Sequence, residues 1–129
     1  MKRSPALQSL SREHHIALTL AKACERAAQS DDEGLVREVC QRAIQAFSDE
    51  LEPHFQLEEQ SLLPLLRSIE TQPLVERTLA DHEQLRELLT GLQQNNGDVL
   101  GSFGKCLSVH VRFEERELFP AIEGCRSCR

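Results

Sequence analysis

The sequence contains no tryptophan, no tyrosine and a single methionine, and five phenylalanines are its whole aromatic content. With Leu, Ala, Glu, Gln and Arg abundant instead, the composition favours helix. An excess of basic residues is also missing. Fifteen Lys and Arg stand against 21 Asp and Glu, a formal net charge of −6. That balance argues against nucleic acid, whose binding rests on clustered cations neutralising phosphates. No apolar run approaches the ~20 residues that span a bilayer, so no membrane partner is expected. The N-terminus, Met1-Lys2-Arg3-Ser4-Pro5, is basic but leads into an amphipathic stretch, so no secretory signal is expected and the expected location is the cytoplasm. At 129 residues the chain holds one domain with one sizeable core.

The five cysteines are an odd count without a signal, which argues against a disulfide framework. Cys24, Cys40 and Cys106 fall within helical patterns and are expected to be small buried hydrophobes. Cys125 and Cys128 form Cys-x-x-Cys in a short tail, residues 125–129, the pattern of a redox pair or half a zinc site; with no supporting fold and no second pair nearby, a frayed end is expected.

What the sequence does contain is a pattern that occurs twice. His54-Phe55-Gln56-Leu57-Glu58-Glu59 and His110-Val111-Arg112-Phe113-Glu114-Glu115 each carry His-x-x-x-Glu, a spacing that stacks imidazole and carboxylate on one helix face. Residues 54, 58 and 64 map onto 110, 114 and 120 at one offset of 56, each copy ending at a proline, Pro64 or Pro120.

The flanking periodicity predicts four helices. Ser4 and Pro5 suit the N-cap and first turn of the first. Leu7, Leu10, His14, Ala17, Ala21, Cys24 and Ala28 then step by three and four, forming an inward stripe that holds His14. His15 lies about 100° round the helix, with Ser11 and Lys22. Ser30-Asp31-Asp32-Glu33-Gly34 is a turn that caps a second helix, expected from Leu35 to Arg67. Its inward stripe is Val36, Cys40, Ala43, Phe47, Leu51, His54, Glu58, Leu62 and Leu65. Pro53 removes a donor from this run and predicts a kink, and Pro64 a second kink or an end.

A third helix is expected from Pro73, with Leu74, Leu79, His82, Leu85, Leu88, Leu89 and Leu92 inward. Asn95-Asn96-Gly97-Asp98 marks the last turn. The fourth helix runs from about Val99 to Ile122, with Phe103, Cys106, Leu107, His110, Phe113, Glu114 and Leu118 inward. Gly101 and Gly104 permit close packing there. The expectation is an all-α, up-down-up-down four-helix bundle over residues 1–124.

Six polar residues fall on these inner stripes: His14, His54, Glu58, His82, His110 and Glu114. A buried polar group without a partner costs about 1–3 kcal/mol, and an uncompensated charge far more. If the stripes meet at one level, they offer four nitrogens and two carboxylates able to bridge a pair of metal ions. Imidazole with carboxylate suits iron, manganese and zinc. Glu59 and Glu115, about 100° off the stripes, are expected to be solvated. Glu50, one turn before His54, is a candidate partner for that ring. Leu51, Phe55, Leu85 and Phe113 are candidates for an apolar wall.

Over nearly its whole length the sequence resembles the hemerythrin-like, or HHE cation-binding, family. The resemblance is carried by Arg12-Glu13-His14-His15, by Asp81-His82-Glu83, and by the two His-x-x-x-Glu-Glu stretches through Pro64 and Pro120. It implies a bundle enclosing a non-haem di-iron centre, with an oxo or hydroxo bridge. His14, His54, His82 and His110 would be terminal ligands, and Glu58 and Glu114 would bridge. Dioxygen carriers of this family add a fifth His one turn from a third-helix ligand, whereas Thr78 and Arg86 stand one turn either side of His82. Their second bridge is an Asp at His+5, whereas here it is Glu114 at His+4. A four-His, two-Glu set is similar to iron-centre repair proteins, although those commonly carry an N-terminal cysteine-containing domain.

The expected function is therefore binding, sensing or reduction of a small oxidant (dioxygen, nitric oxide or peroxide) at two iron ions. The alternatives are iron sensing, storage or centre repair, and a structural bundle that binds zinc or no metal.

Overall fold

The computed structural model of the protein describes residues 5–127; Ser4, the expected first N-cap, and Cys128 lie outside them. The described chain is helical and contains no strand. Its first rod is α1 (Pro5–Gln29). The second comprises α2 (Glu33–Ala46), a π-turn over Phe47–Leu51, α3 (Glu52–Leu57), a π-turn over Glu58–Leu62 and a 3-10 turn over Leu63–Leu65. The third is α4 (Gln72–Glu87) followed by α5 (Leu89–Gln93). The fourth is α6 (Gly97–Phe113), a π-turn over Glu114–Leu118 and α7 (Phe119–Ser127).

The turns follow from their capping residues. Asp32 accepts the backbone N–H of Leu35 and starts α2 two residues before the expected Leu35. Asn96 accepts from Asp98 and Val99, and Asn95 before it takes the left-handed conformation (φ 57°) that Asn tolerates. The second rod ends at Leu65 instead of Arg67, with Leu66 already extended.

Proline explains the π-turns. Glu52, Leu63 and Phe119 each donate the backbone N–H to the carbonyl five residues back, on Phe47, Glu58 and Glu114. Each of the three immediately precedes a proline: Pro53, Pro64 or Pro120. A proline inside a helix has no N–H and its ring collides with a carbonyl one turn back. Widening that turn relieves the collision and keeps the rod going. The kink expected at Pro53 takes this form, and two of the three wide turns begin on Glu58 and Glu114.

Pairwise contacts fix the topology. Going up α1, Ser11, His14 and Ala21 meet Glu115, Glu114 and Gly104 in turn, so the first and fourth rods are antiparallel. Glu52 meets Arg86 and Glu59 meets His82, so the second and third are too. Arg77 lies over Phe113, Asp81 meets His110 and Gly91 meets Val99, which makes the third and fourth antiparallel. The arrangement is an up-down-up-down bundle. At Gly104 an added Cβ would lie 2.7 Å from the Ala21 carbonyl oxygen, so α1 and α6 approach closely only because that position is glycine.

Two apolar clusters fill the interior. One is built around Ala17, Ala21, Cys24, Cys40, Phe47, Phe55, Leu85, Phe103 and Leu107, and the other around Leu7, Leu10, Leu62, Phe113, Leu118 and Phe119. Between them lies the polar layer formed by the six candidate ligands.

The stripes hold with local corrections. Ala27, not Ala28, is buried late in α1. Leu79 is 43% exposed, and Thr78 takes the buried place, its hydroxyl donating to the Leu74 carbonyl at 2.8 Å. The step from 78 to 82 to 85 follows the helical period more closely than one through 79. Cys24 and Cys40 are buried, whereas Cys106 is only half-buried. The last helix runs past Ile122 through Ser127, and Cys125 packs on the second apolar cluster. No helix of the described residues is long and apolar enough to cross a membrane.

Candidate metal centre

Each rod contributes one imidazole to the polar layer, and the second and fourth add a carboxylate one turn later. His14, His54, Glu58, His82, His110 and Glu114 are all buried, with both carboxylates fully excluded from solvent. His15, the neighbour of His14, is exposed. The six expected residues are thus brought to one level.

Their inner atoms divide into two groups. Glu58 turns Oε2 to His54 Nε2 and Oε1 to His82 Nε2, both at 2.9 Å. Glu114 turns Oε1 to His14 Nε2 at 2.7 Å and Oε2 to His110 Nε2 at 3.0 Å. Each carboxylate therefore gives one oxygen to each group. His14, His54, Glu58 and Glu114 form one set, and Glu58, His82, His110 and Glu114 the other, with ligand atoms in each set within 4.8 Å of one another. Nitrogen and oxygen ligands sit about 2.0–2.2 Å from a zinc-like ion, so either set can hold a cation.

The outer nitrogens are also accounted for. His54 Nδ1 lies 2.9 Å from Glu13, His82 Nδ1 2.7 Å from Glu59, His110 Nδ1 2.9 Å from Asp81, and His14 Nδ1 2.7 Å from Glu115. The order is cyclic. The first rod holds the ring of the second, the second that of the third, the third that of the fourth, and the fourth that of the first. Glu59 and Glu115 are thus not simply solvated, as their helical position suggested, but are half-buried in seams between rods. Glu50 is exposed and is not the partner of His54; Glu13, from α1, takes that role.

This ring sets the chemistry of the inner atoms. A carboxylate only accepts, so each Nδ1 donates, and the Nε2 of a neutral ring then presents a lone pair inward. There it faces carboxylate oxygens, which are acceptors as well. Only a cation between them, a proton or a metal ion, reconciles two acceptors at such distances. In the second group Glu58 Oε1, His82 Nε2, His110 Nε2 and Glu114 Oε2 are near one another, yet none has a hydrogen-bond partner among the described residues. Buried polar atoms are rarely left so. The donor set fits a bound cation in each group.

Without metal the layer is a strongly interacting charge cluster. Burial alone would lower the His54 pKa, but the carboxylates of Glu114 and Glu58 beside its Nε2 outweigh it and push the ring up to about 11. His110 is likewise lowered by burial and raised more by Glu114 and Asp81, to about 10. His82 is also raised, by its contacts with Glu114 and Glu58 against burial. For Glu114 burial works upward, yet His110, His14 and His54 hold it well below the usual carboxylate range. Glu58 is pushed up by burial and by the charge of Glu114.

Arginines brace the outer carboxylates of the second group. Arg86 grips Glu52 through two nitrogens at 2.8 and 2.9 Å and reaches Glu59 at 3.1 Å. Arg77 Nε lies 3.2 Å from Asp81. One turn either side of His82, Thr78 is buried with its hydroxyl committed to the Leu74 carbonyl and Arg86 is committed to Glu52 and Glu59, so neither adds a ligand. Phe55 stacks on His82 with ring centres 3.9 Å apart, and Phe119 stacks on His14 at 5.1 Å. Leu51 and Phe55 do line the cavity beside the first group; Phe113 instead lies against the His110 ring, with centres 6.3 Å apart, and Leu85 packs in the first apolar cluster.

Set beside known proteins, residues 6–124 match the family model described as Hemerythrin HHE cation binding domain. No curated protein and no solved structure matches the chain.

Proposed function

The chain belongs to the hemerythrin HHE cation-binding family, and on that premise we propose that it holds two iron ions and uses them to bind, sense or reduce a small oxidant. The observation that carries this reading is the division of the eight inner atoms into two four-atom sets sharing both carboxylates. His14 and His54 would hold one ion, His82 and His110 the other, and Glu58 and Glu114 would bridge. A pair of irons so held supplies electrons and open coordination positions to a small ligand.

The chain's own residues supply the setting. The Nδ1 contacts fix the ring orientations, and each paired carboxylate makes its imidazole a stronger donor. The stacked Phe55 and Phe119 hold His82 and His14 from the apolar side. The carboxylates Glu13, Glu59, Asp81 and Glu115 accept the Nδ1 protons and keep them at the outer edge, so that the inner nitrogens are free for metal. The two apolar clusters close the layer above and below.

Anaerobic loading with ferrous iron, followed by metal analysis and optical titration with dioxygen, nitric oxide and peroxide, tests the reading. Two irons per chain and a charge-transfer band that responds to one of these ligands are expected. Fewer than about one iron per chain, or two irons indifferent to all three, refutes it.

A further inference from the structure

The ligand cluster leaves space beside it. A cavity of about 180 Å³ lies among α1, the second rod and α6, against His14, His54, His110 and Glu114. Elsewhere its wall is apolar: Leu20, Leu51, Phe55 and Val111, with the methyl groups of Ala17 and Ala46. Toward solvent it is bordered by Glu13, Glu50 and Arg42.

Three properties of this space select an occupant. Water takes roughly 30 Å³ in the liquid, so a diatomic molecule or hydrogen peroxide leaves most of the cavity empty, whereas an apolar protein cavity of about 150 Å³ takes up benzene. The wall gives hydrogen-bond partners only where the cluster faces it, so the body of the occupant must be hydrocarbon. Its border carries two carboxylates against one guanidinium, and Glu114 lies beyond, which disfavours an anion.

We propose that this cavity binds a neutral molecule of about six to eight non-hydrogen atoms. Its hydrocarbon body lies along Leu20, Leu51 and Val111, and its one polar end is turned to His54 and Glu114. The class of oxidant with that shape is an organic hydroperoxide. That the polar end meets a metal pair rests on the function proposed above; that the cavity takes the body does not.

The test uses 1-hexanol, an unreactive counterpart, titrated into the full chain both metal-free and loaded with redox-inert zinc, with methyl NMR as the readout. Saturable shifts confined to the methyl groups of Leu20, Leu51 and Val111 are expected, with hexanoate binding at least ten-fold more weakly. Ala46→Leu fills the wall and is expected to weaken hexanol at least ten-fold while leaving helix content and metal stoichiometry unchanged; Ala17→Leu is the second filled variant. Shifts scattered over the surface, equal affinity for hexanoate, or undiminished binding by both variants overturns the proposal. Two metals without hexanol binding sinks this inference alone, whereas hexanol binding by a chain that takes up no metal sinks the function above and leaves the cavity site standing.

Discussion

Glu115 Oε2 lies 2.7 Å from His14 Nδ1, and this contact between the last rod and the first closes a ring of four carboxylate–imidazole pairs. Ser11 donates to the same oxygen at 2.8 Å and holds the carboxylate in place. The consequence is that all four rings are oriented by partners outside the inner ligand set. Each inner nitrogen is aimed before any metal arrives, which reduces the ordering that binding must impose.

If that is the role of the ring, neutralising one outer acid must weaken metal binding without unfolding the bundle. Glu115→Gln and Glu59→Gln keep side-chain shape and remove the charge that makes Nδ1 a committed donor. An affinity loss of about 10–100-fold is expected for each, as is usual for groups that orient metal-bound histidines. Glu50→Gln, at an exposed position with no such contact, should bind like the parent. Competition against a chelator of known affinity measures this; equal affinity in all three variants would reduce the ring to a packing detail.

Removing an inner carboxylate has a different signature. Glu58 and Glu114 each serve both sets, so Glu58→Ala or Glu114→Ala should drop the stoichiometry from two ions to one or none. Glu114→Ala also strips His110 of a buried counter-charge, and breaking such a pair costs about 3–5 kcal/mol. The metal-free variant should therefore melt well below the metal-free parent. His15→Ala, an exposed neighbour, should change neither stoichiometry nor melting. Metal analysis and calorimetry on the same samples separate the two effects.

The inner six residues were legible in the sequence because the information is local to each helix. A repeated i,i+4 spacing and two histidines on apolar stripes are enough to choose a face. The outer four were not, although they too leave a mark. Glu13 and Asp81 directly precede His14 and His82, and Glu59 and Glu115 directly follow Glu58 and Glu114. Read on one helix, a residue about 100° from the stripe faces solvent. In the bundle that direction is the seam with the next rod, and only the neighbour's Nδ1 shows what the acid is for. The π-turns were hidden for a related reason. Pro53 and Pro64 announce that the ladder is interrupted, but whether the chain bends, ends or widens depends on what must be packed on either side. Leu79 gave way to Thr78 because hydrophobicity alone cannot distinguish two adjacent positions when a threonine can satisfy its own hydroxyl in the helix.

The close seam between α1 and α6 depends on a missing side chain. Gly104→Ala gains about 1 kcal/mol of helix propensity, but its Cβ would sit 2.7 Å from the Ala21 carbonyl, a backbone atom that cannot rotate aside. Overpacking of this kind costs about 1–3 kcal/mol. The clash also reaches Cys24 and Glu25, each 3.0 Å away, so the balance falls on the unfavourable side. A net loss of about 1 kcal/mol lowers the Tm of a chain this size by about 3–5 °C, with metal stoichiometry unchanged. Gly124→Ala, where nothing lies within 4 Å, should leave Tm unchanged or raise it. A stable Gly104→Ala would mean that the two helices part without cost.

Metal and protons compete for the same inner nitrogens, and the sign of the competition follows from the raised imidazoles. In the metal-free bundle His54 and His110, pushed up to about 11 and about 10, carry protons at neutral pH. Loading either set must displace at least one of them. The apparent affinity of each ion should therefore rise about tenfold per pH unit between pH 7 and 9. The stability of the metal-free form runs the other way. A ring whose folded pKa exceeds its unfolded value of about 6.5 stabilises the fold fully below that pH, and the contribution is lost as pH climbs through the folded value. Raising pH from 7 toward 10 should thus weaken the metal-free bundle while strengthening metal binding, so the gap in Tm between loaded and metal-free protein widens. Thermal melts of both forms across that range decide it: a gap that is flat or narrows means that protons do not occupy the inner nitrogens in the absence of metal.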